Sequence, residues 1–349
     1  MPYTWAVQRR NRRYDSGAAA VERVGVPVVS VGNLPLGGTG KTPMVEWLAR
    51  WFAARGVRVG VVSRGYGAKA GAENDEALEL RQRLPEVHHL QNPDRVSGAQ
   101  QAIERFGCQA IVLDDAFQHR RIARDLDIVM LDALEPFGFG HVFPRGTLRE
   151  PVAGLRRADV VVLSRADLLD APGREAIRCQ VQRIAPQAAW AEVAHAPQAL
   201  ISAGGQEEPL ASLQGTRLAA FCGVGNPAGV RHTLQACRYQ VAGFREFPDH
   251  YCYTRADVAS LAAWAERLDA TALVCTHKDL VKLGCGQVGR RPLWAVRVAL
   301  EFLCEGAGKG DRSNSCGAGH RPEVGRGPLR QIGPVPFSLE ERLTALLAK

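Results

Sequence analysis

Short apolar runs alternate with amphipathic stretches along the first part of the chain. Residues 26–31, 57–62, 109–114, 126–132 and 159–163 are mostly β-branched or otherwise apolar, as strands buried on both faces of a parallel sheet must be. Between them, 41–54, 75–83, 94–106 and 173–184 carry apolar residues at helical spacing. Such alternation predicts βαβ units: an α/β fold whose parallel sheet has helices on both faces. Ligands on such sheets lie beyond the C-terminal ends of the strands.

A second set of elements begins near Arg217, with strands at 217–222, 239–246 and 271–275 and helices at 226–237 and 254–267. It predicts a smaller α/β lobe, and the polar, glycine-containing stretch 195–216 is expected to link the two. Residues 305–336 are rich in Gly, Pro and Arg and lack periodicity, as expected of a mobile insert. Leu339, Leu343 and Leu346 then restore a helical stripe that should dock back on the body. The expected division is a first domain at 1–195 that includes a basic N-terminal segment, and a smaller lobe at 196–304 that completes a cleft. The insert at 305–336 and a C-terminal helix at 337–349 follow.

Composition narrows the class. The 349 residues are 46% hydrophobic and 23% charged, as in soluble globular proteins. There is no apolar run of about 18 residues to span a membrane and no apolar N-terminal core of a secretory signal, so the cytoplasm is the expected compartment. The nine cysteines include no C-x-x-C pair and read as reduced thiols. The net charge of +8 is clustered: Arg9, Arg10, Arg12 and Arg13 lie beside Trp5 and Tyr14, Arg120 and Arg121 precede Arg124, and Arg145 precedes Arg149. Such patches attract anions, although a solvated basic surface accounts for any single cluster equally well. With no nucleic-acid-binding motif present, a membrane surface or an anionic substrate is favoured over nucleic acid.

The candidate chemistry is concentrated at strand ends. The run 28–33 enters a turn containing Gly37, Gly38, Thr39 and Gly40, which leads through Lys41 and Thr42 into the helix at 41–54. Glycines there let backbone N–H groups converge on phosphate, and the helix N-terminus adds its positive dipole end. Lys41 would reach the β- and γ-phosphates and the Thr42 hydroxyl would ligate Mg²⁺. Pro35 stands where the standard phosphate-loop spacing asks for Gly. A glycine-rich helix cap is the plainer alternative.

The strand at 109–114 ends in Asp114 and Asp115, the pattern that delivers a carboxylate to Mg²⁺ beside a phosphate loop. Successive strand residues face opposite sides, so the two acids should not share one job. Gln118 and His119 follow at the same edge. Ser63, Arg64 and Gly65 end another strand, and Arg64 suits bidentate phosphate contact. Asn74, Asp75 and Glu76 open a helix, where a carboxylate could take a proton from an alcohol or simply cap the helix. Asp249 and His250 lie in the second lobe, in an ordinary loop by composition. If the lobes close over a substrate, His250 could reach the acids of the first. Asp167 after Ser164 and Arg165, and Asp279 after Thr276, His277 and Lys278, weakly resemble base-reading segments of guanine-specific P-loop proteins; helix capping explains them as well.

Taken in combination and order, these residues resemble the tetraacyldisaccharide 4'-kinase (lipid A 4'-kinase) family. The resemblance runs through Arg10 to Asp15, Val31 to Leu34, Gly37 to Pro43, Ser63 to Gly67, Asp75 with Glu76, Asp114 to His119, Arg124 to Asp127, Pro144 to Pro151, Asp249 with His250, and Thr276 to Asp279. It covers the chain to about residue 300 and implies a P-loop NTPase-type sheet. The family implies ATP-dependent, Mg²⁺-assisted phosphorylation of the 4'-hydroxyl of an acylated glucosamine disaccharide 1-phosphate lipid, giving lipid IVA at the cytoplasmic face of the inner membrane. Carried over by motif, Lys41 is catalytic, Asp75 takes the hydroxyl proton and His250 is its partner. Thr42, Glu76, Asp114, Asp115 and Gln118 shape the metal and phosphate site. Arg64, His119, Arg120, Arg121 and Arg149 are the candidate substrate contacts. Where members usually carry an apolar N-terminal membrane helix and a Gly before the acidic pair, this chain has the basic cluster and Asn74. Attachment to the membrane is therefore expected to be peripheral, through Trp5, the arginines and the lipid itself, with no obligate protein partner. The rival class is a nucleotide-switch ATPase or GTPase without a small-molecule acceptor. Against it, Leu36 stands where partition-type loops carry a signature Lys, and no base-reading Asn is present.

Overall fold

Every residue of the strands ending at Asp114 and Asp132 is buried, as a central parallel sheet with both faces covered requires. The computed structural model describes residues 2–65, 75–303 and 337–348, without the side chains of residues 2, 75, 76 and 337. The expected insert at 305–336 lies outside the described residues. The helices are α1 (Pro2–Asp15), α2 (Lys41–Ala53), α3 (Asp75–Arg83), α4 (Arg95–Phe106), α5 (Ala171–Ile184), α6 (Pro227–Ala236), α7 (Arg255–Arg267), α8 (His277–Leu283) and α9 (Phe337–Leu347). The strands up to the middle of the chain are β1 (Val28–Asn33), β2 (Val59–Ser63), β3 (His88–Gln91), β4 (Ala110–Asp114), β5 (Leu126–Asp132), β6 (Val160–Ser164) and β7 (Ala189–Ile201). They are followed by β8 (Glu207–Glu208), β9 (Arg217–Cys222), β10 (Gln240–Glu246), β11 (Ala272–Thr276), β12 (Gln287–Val288) and β13 (Arg291–Phe302).

The strands form one sheet in the order β10-β9-β11-β13-β7-β6-β5-β1-β4-β2-β3, with β8 and β12 paired at its margin. Along that order each pair is parallel except β13 with β7. The expected second lobe is thus a second parallel sheet fused to the first through one antiparallel seam. That seam sets the geometry of the site. β6 pairs with β7 at residues 189–193, while β7 runs on to Ile201 and meets the start of β13. β11 pairs with β13 at 293–296, so the second half points its C-terminal strand ends back toward those of the first.

The predicted elements fall within a few residues of the observed ones. Seven are additional: α1, β3, β7, β8, α8, β12 and β13. Residues 195–201, expected in the linker, extend β7, a 13-residue strand. Strand β13 was not expected, because its partly buried residues lack the solid apolar run of the central strands. Helix α1 is strongly polar on average and reads as a basic segment, yet Val7 is buried against the body. The expected C-terminal helix is α9, whose Leu339, Leu343 and Leu346 join the core beside α2 and β1.

Candidate active site

The turn after β1 is shaped by its own sequence. Gly37 (φ 111°) and Gly40 (φ 83°) occupy the left-handed region, where a Cβ is strained. A Cβ on Gly40 would also lie 2.6 Å from His195 Nε2. Asn33 at the end of β1 donates from Nδ2 to the Thr39 hydroxyl (3.0 Å) and the Gly37 carbonyl (3.3 Å), bracing the loop from below. Pro35, the departure from standard spacing, forms a bridge with Leu148, and Leu36 N–H donates to the Thr147 carbonyl at 2.7 Å. The irregular position is therefore where a neighbouring segment clamps the loop.

The N-cap residue of α2 is Gly40, which offers no side-chain cap. By contrast, α4, α5, α6, α7 and α8 each have an Asp, Asn or Thr cap. The orphan N–H groups of α2 are thus left for an anion, with Lys41 and Thr42 beside them. Gly37, Gly38, Thr39, Gly40, Lys41 and Thr42 all line a cleft of about 900 Å³ between the two sets of C-terminal strand ends. Arg64, Asp114, Asp115, Gln118, His119, Arg149, Asp249 and His250 line it too.

Asp115 follows β4 in the left-handed region (φ 51°) and turns toward the loop. Both its oxygens lie 2.7 Å from Arg149 Nη1, and Lys41 Nζ is 3.4 Å away. Burial alone would raise its pKa, but Lys41 and Arg149 outweigh that and hold it at about 2. Asp114 is buried at the strand end. Gln118 donates from Nε2 to the Asn33 carbonyl (2.8 Å) and to Glu150 (3.1 Å), while its buried Oε1 has no partner among the described residues. Burial, reinforced by Arg95 and Arg124, draws His119 down to about 4, so its ring is neutral near pH 7. Among the described residues no group of three or more His, Cys, Asp or Glu side chains forms a metal cage.

Not every candidate reaches the cleft. Arg120 pairs with Asp15 (2.8 Å) and lies over the Tyr14 ring, and Arg121 pairs with Glu22 (2.8 Å) and Asp94 (2.9 Å). Both tie the body to the N-terminal segment. Asp75 and Glu76 open α3, but their side chains lie outside the described residues. The aspartates of the two base-reader segments are structural. Asp279 is fully buried and accepts from Gly223 N–H (3.1 Å), Tyr253 (3.0 Å) and Thr276 (2.6 Å), while Asp167 pairs with His232 at 2.9 Å.

The structure adds residues to which the motifs gave no place in the cleft. Arg165 bonds Asp132 and donates to the Gly38 carbonyl at 3.1 Å; Asn226 donates to the same Asp132 at 3.0 Å. Gly225 lies so close that a Cβ there would stand 2.9 Å from Asp249 and 3.4 Å from the Gly38 nitrogen. The second half of the sheet therefore touches the phosphate loop itself. Arg95 and Lys278 also line the cleft. The pairing of distant strand ends brings them there; of the two, only Lys278 belongs to a sequence motif, the segment Thr276 to Asp279.

A parallel sheet, an uncapped glycine loop and acids facing it define a P-loop NTPase-type protein. Within that class the chain belongs to the tetraacyldisaccharide-1-P 4'-kinase family, whose model matches residues 1–309. The tetraacyldisaccharide 4'-kinase of Anaeromyxobacter sp. (strain K) is 42% identical over 321 residues, covering 86% of this chain and 85% of that protein. That of Syntrophus aciditrophicus (strain SB) is 38% identical over 306 residues, covering 80% and 82%. A crystal structure of the "apo" form of LpxK from Aquifex aeolicus, in complex with ATP, superposes with a TM-score of 0.66 at 28% identity, covering 87% of this chain and 92% of that one. The chain is thus a phosphotransferase, an ATP-dependent 4'-kinase of lipid A biosynthesis acting on a lipid disaccharide phosphate. The nucleotide-switch alternative is set aside.

Proposed function

We propose that phosphoryl transfer takes place in the cleft between the two sheet halves, with the nucleotide on the phosphate loop and the lipid headgroup entering beside α1. The observation that carries this reading is the apposition of an uncapped loop bearing Lys41 with Asp249 and His250 from the opposite strand ends. The 4'-oxygen bonds to the γ-phosphorus as its bond to the β-phosphate oxygen breaks, and the hydroxyl proton passes to Asp75, with His250 as its partner. Lys41 and the loop N–H groups stabilise charge on the transferring group. Arg149 and Arg64 supply further cations at the cleft wall.

Thr42, Glu76, Asp114, Asp115 and Gln118 would hold Mg²⁺. An all-oxygen set with an unpartnered Gln118 Oε1 suits that hard cation, which keeps waters and phosphate oxygens in its shell. When bound, it supplies positive charge to the phosphate oxygens. Lys41 and Arg149 already pair with Asp115, so its carboxylate would have to exchange these partners to take the metal.

Peripheral attachment to the cytoplasmic face of the inner membrane fits the surface around α1. Tyr3, Trp5, Phe139 and Phe143 are exposed, and Tyr3 packs edge-on against Phe143 at 6.2 Å. Arg9 lies over Trp5, and Arg10 and Tyr3 line the cleft mouth, so apolar and cationic groups share one face. No described helix is long and apolar enough to cross a membrane. The division into domains 1–195 and 196–304 then corresponds to a donor side and a closing side of one cleft. Incubation with labelled ATP and the disaccharide lipid tests the reading. Labelled lipid is expected, and phosphate release without labelled lipid would count against it.

A further inference from the structure

We infer that Lys278 is a positioning residue that holds His250 as its Nδ1–H tautomer, with Nε2 facing the ammonium as an acceptor. The inference rests on the reading of His250 as the partner of the base, and it concerns how that ring is set.

The first turn of α8 is rigidly placed. Thr276 caps it, and buried Asp279 ties it to Gly223 and Tyr253. His277 turns inward, its Nε2 lying 3.0 Å from Gln82 Oε1. Lys278 is left lining the cleft, its side chain only 15% exposed, with Nζ 3.4 Å from His250 Nε2 and 3.5 Å from Asp249 Oδ1. His250 is itself fixed in the left-handed region (φ 57°), its N–H donating to Asp249 Oδ1 at 2.9 Å.

Two charges compete for one ring nitrogen. Asp249 Oδ2 is 4.0 Å from Nε2, and a carboxylate, which only accepts, favours a proton there. An ammonium has three donors and no acceptor, so the nearer Lys278 requires a lone pair on Nε2 and drives the proton to Nδ1. Lys278 also draws off part of the Asp249 charge through the 3.5 Å contact. The sequence signal is the Lys of the Thr276 to Asp279 segment, whose neighbours prove structural while the Lys itself points into the site.

Nitrogen-15 NMR of the full-length, histidine-labelled protein tests this directly. The wild type is expected to show an unprotonated His250 Nε2. Lys278→Met should invert the tautomer to Nε2–H, and Lys278→Arg should preserve the wild-type form. In the lipid kinase assay Lys278→Met should lower kcat about tenfold or more while KM for ATP stays within about twofold, and Lys278→Arg should recover part of the loss. A wild-type Nε2–H ring, or an unchanged tautomer in a folded Lys278→Met, would overturn the inference; the wild-type spectrum decides even if the variant fails to fold. Full activity of His250→Ala would instead remove the underlying role of His250 and leave the tautomer result standing.

Discussion

Asp115 shows how much of the site is a matter of pairing. Its two oxygens grip Arg149, Lys41 stands 3.4 Å off, and the carboxyl is held at about 2 against an ordinary value of 3.8. A carboxyl depressed in this way contributes stability that is fully present above its unfolded value and is lost as pH falls through the folded one. Allowing for its partial exposure to solvent, the contribution is about 1 kcal/mol. Asp115→Asn should therefore unfold at lower urea concentration than wild type at pH 6, with the gap closing between pH 4 and pH 2. A gap that persists at pH 2 would point to packing instead. Lys41, Asp115 and Arg149 were each legible as separate motif members. That they form one charge cluster was not, because loops far apart in sequence bring them together. Arg120 and Arg121 show the converse: residue type suggested substrate contact, but the carboxylates of Asp15, Glu22 and Asp94 had prior claim on them.

At the scale of elements, α3 matters because Asp75, the base in the proposed transfer, opens it. Arg83 at its other end is buried between Glu46 of α2 (2.8 Å) and Glu79 of α3 (2.9 Å) and donates to the Val298 carbonyl of β13. One guanidinium thus ties the helix that carries the acid to the helix that follows the phosphate loop. Arg83→Met would strip buried Glu79 of its guanidinium, while Glu46 keeps Arg50 at 3.0 Å, and should cost about 3 kcal/mol in urea unfolding. Arg83→Lys should cost less while still lowering kcat, because a point charge cannot bridge both acids in the fork geometry. The amphipathic helices and solid apolar strands of the first half were readable because burial on one stripe or on both faces leaves a periodic signature. β7 and β13 were not, since partly buried strands at a seam mix polar and apolar positions. α1 was hidden by its charge.

For the whole molecule, the antiparallel seam between β7 and β13 makes one sheet serve two sides of a cleft. Asp132, at the end of β5, receives Arg165 from the first half and Asn226 from the second, and Arg165 in turn holds the Gly38 carbonyl. Gly225 seals the contact by having no side chain. Gly225→Ala should push Asp249 and the phosphate loop apart and lower kcat/KM about tenfold, with little change in the melting temperature; Asn226→Ala, losing both the bond to Asp132 and the α6 cap to Gly229 N–H, should cost about 2 kcal/mol of stability. A kinetic parameter unchanged in Gly225→Ala would separate the second half from catalysis. Two sets of alternating elements were legible in the sequence. Their fusion was not, because strand order depends on pairing between segments about a hundred residues apart.

The central claim is that this cleft moves the γ-phosphate of ATP onto the 4'-hydroxyl of the lipid disaccharide, with Lys41 on the donor side and Asp75 on the acceptor side. Labelled ATP, the disaccharide 1-phosphate lipid and purified protein test it together. Wild type should yield lipid labelled at the 4'-position, while Lys41→Ala and Asp75→Ala, folded by circular dichroism, should yield essentially none. Phosphate released without labelled lipid, or undiminished transfer by Asp75→Ala, would contradict it.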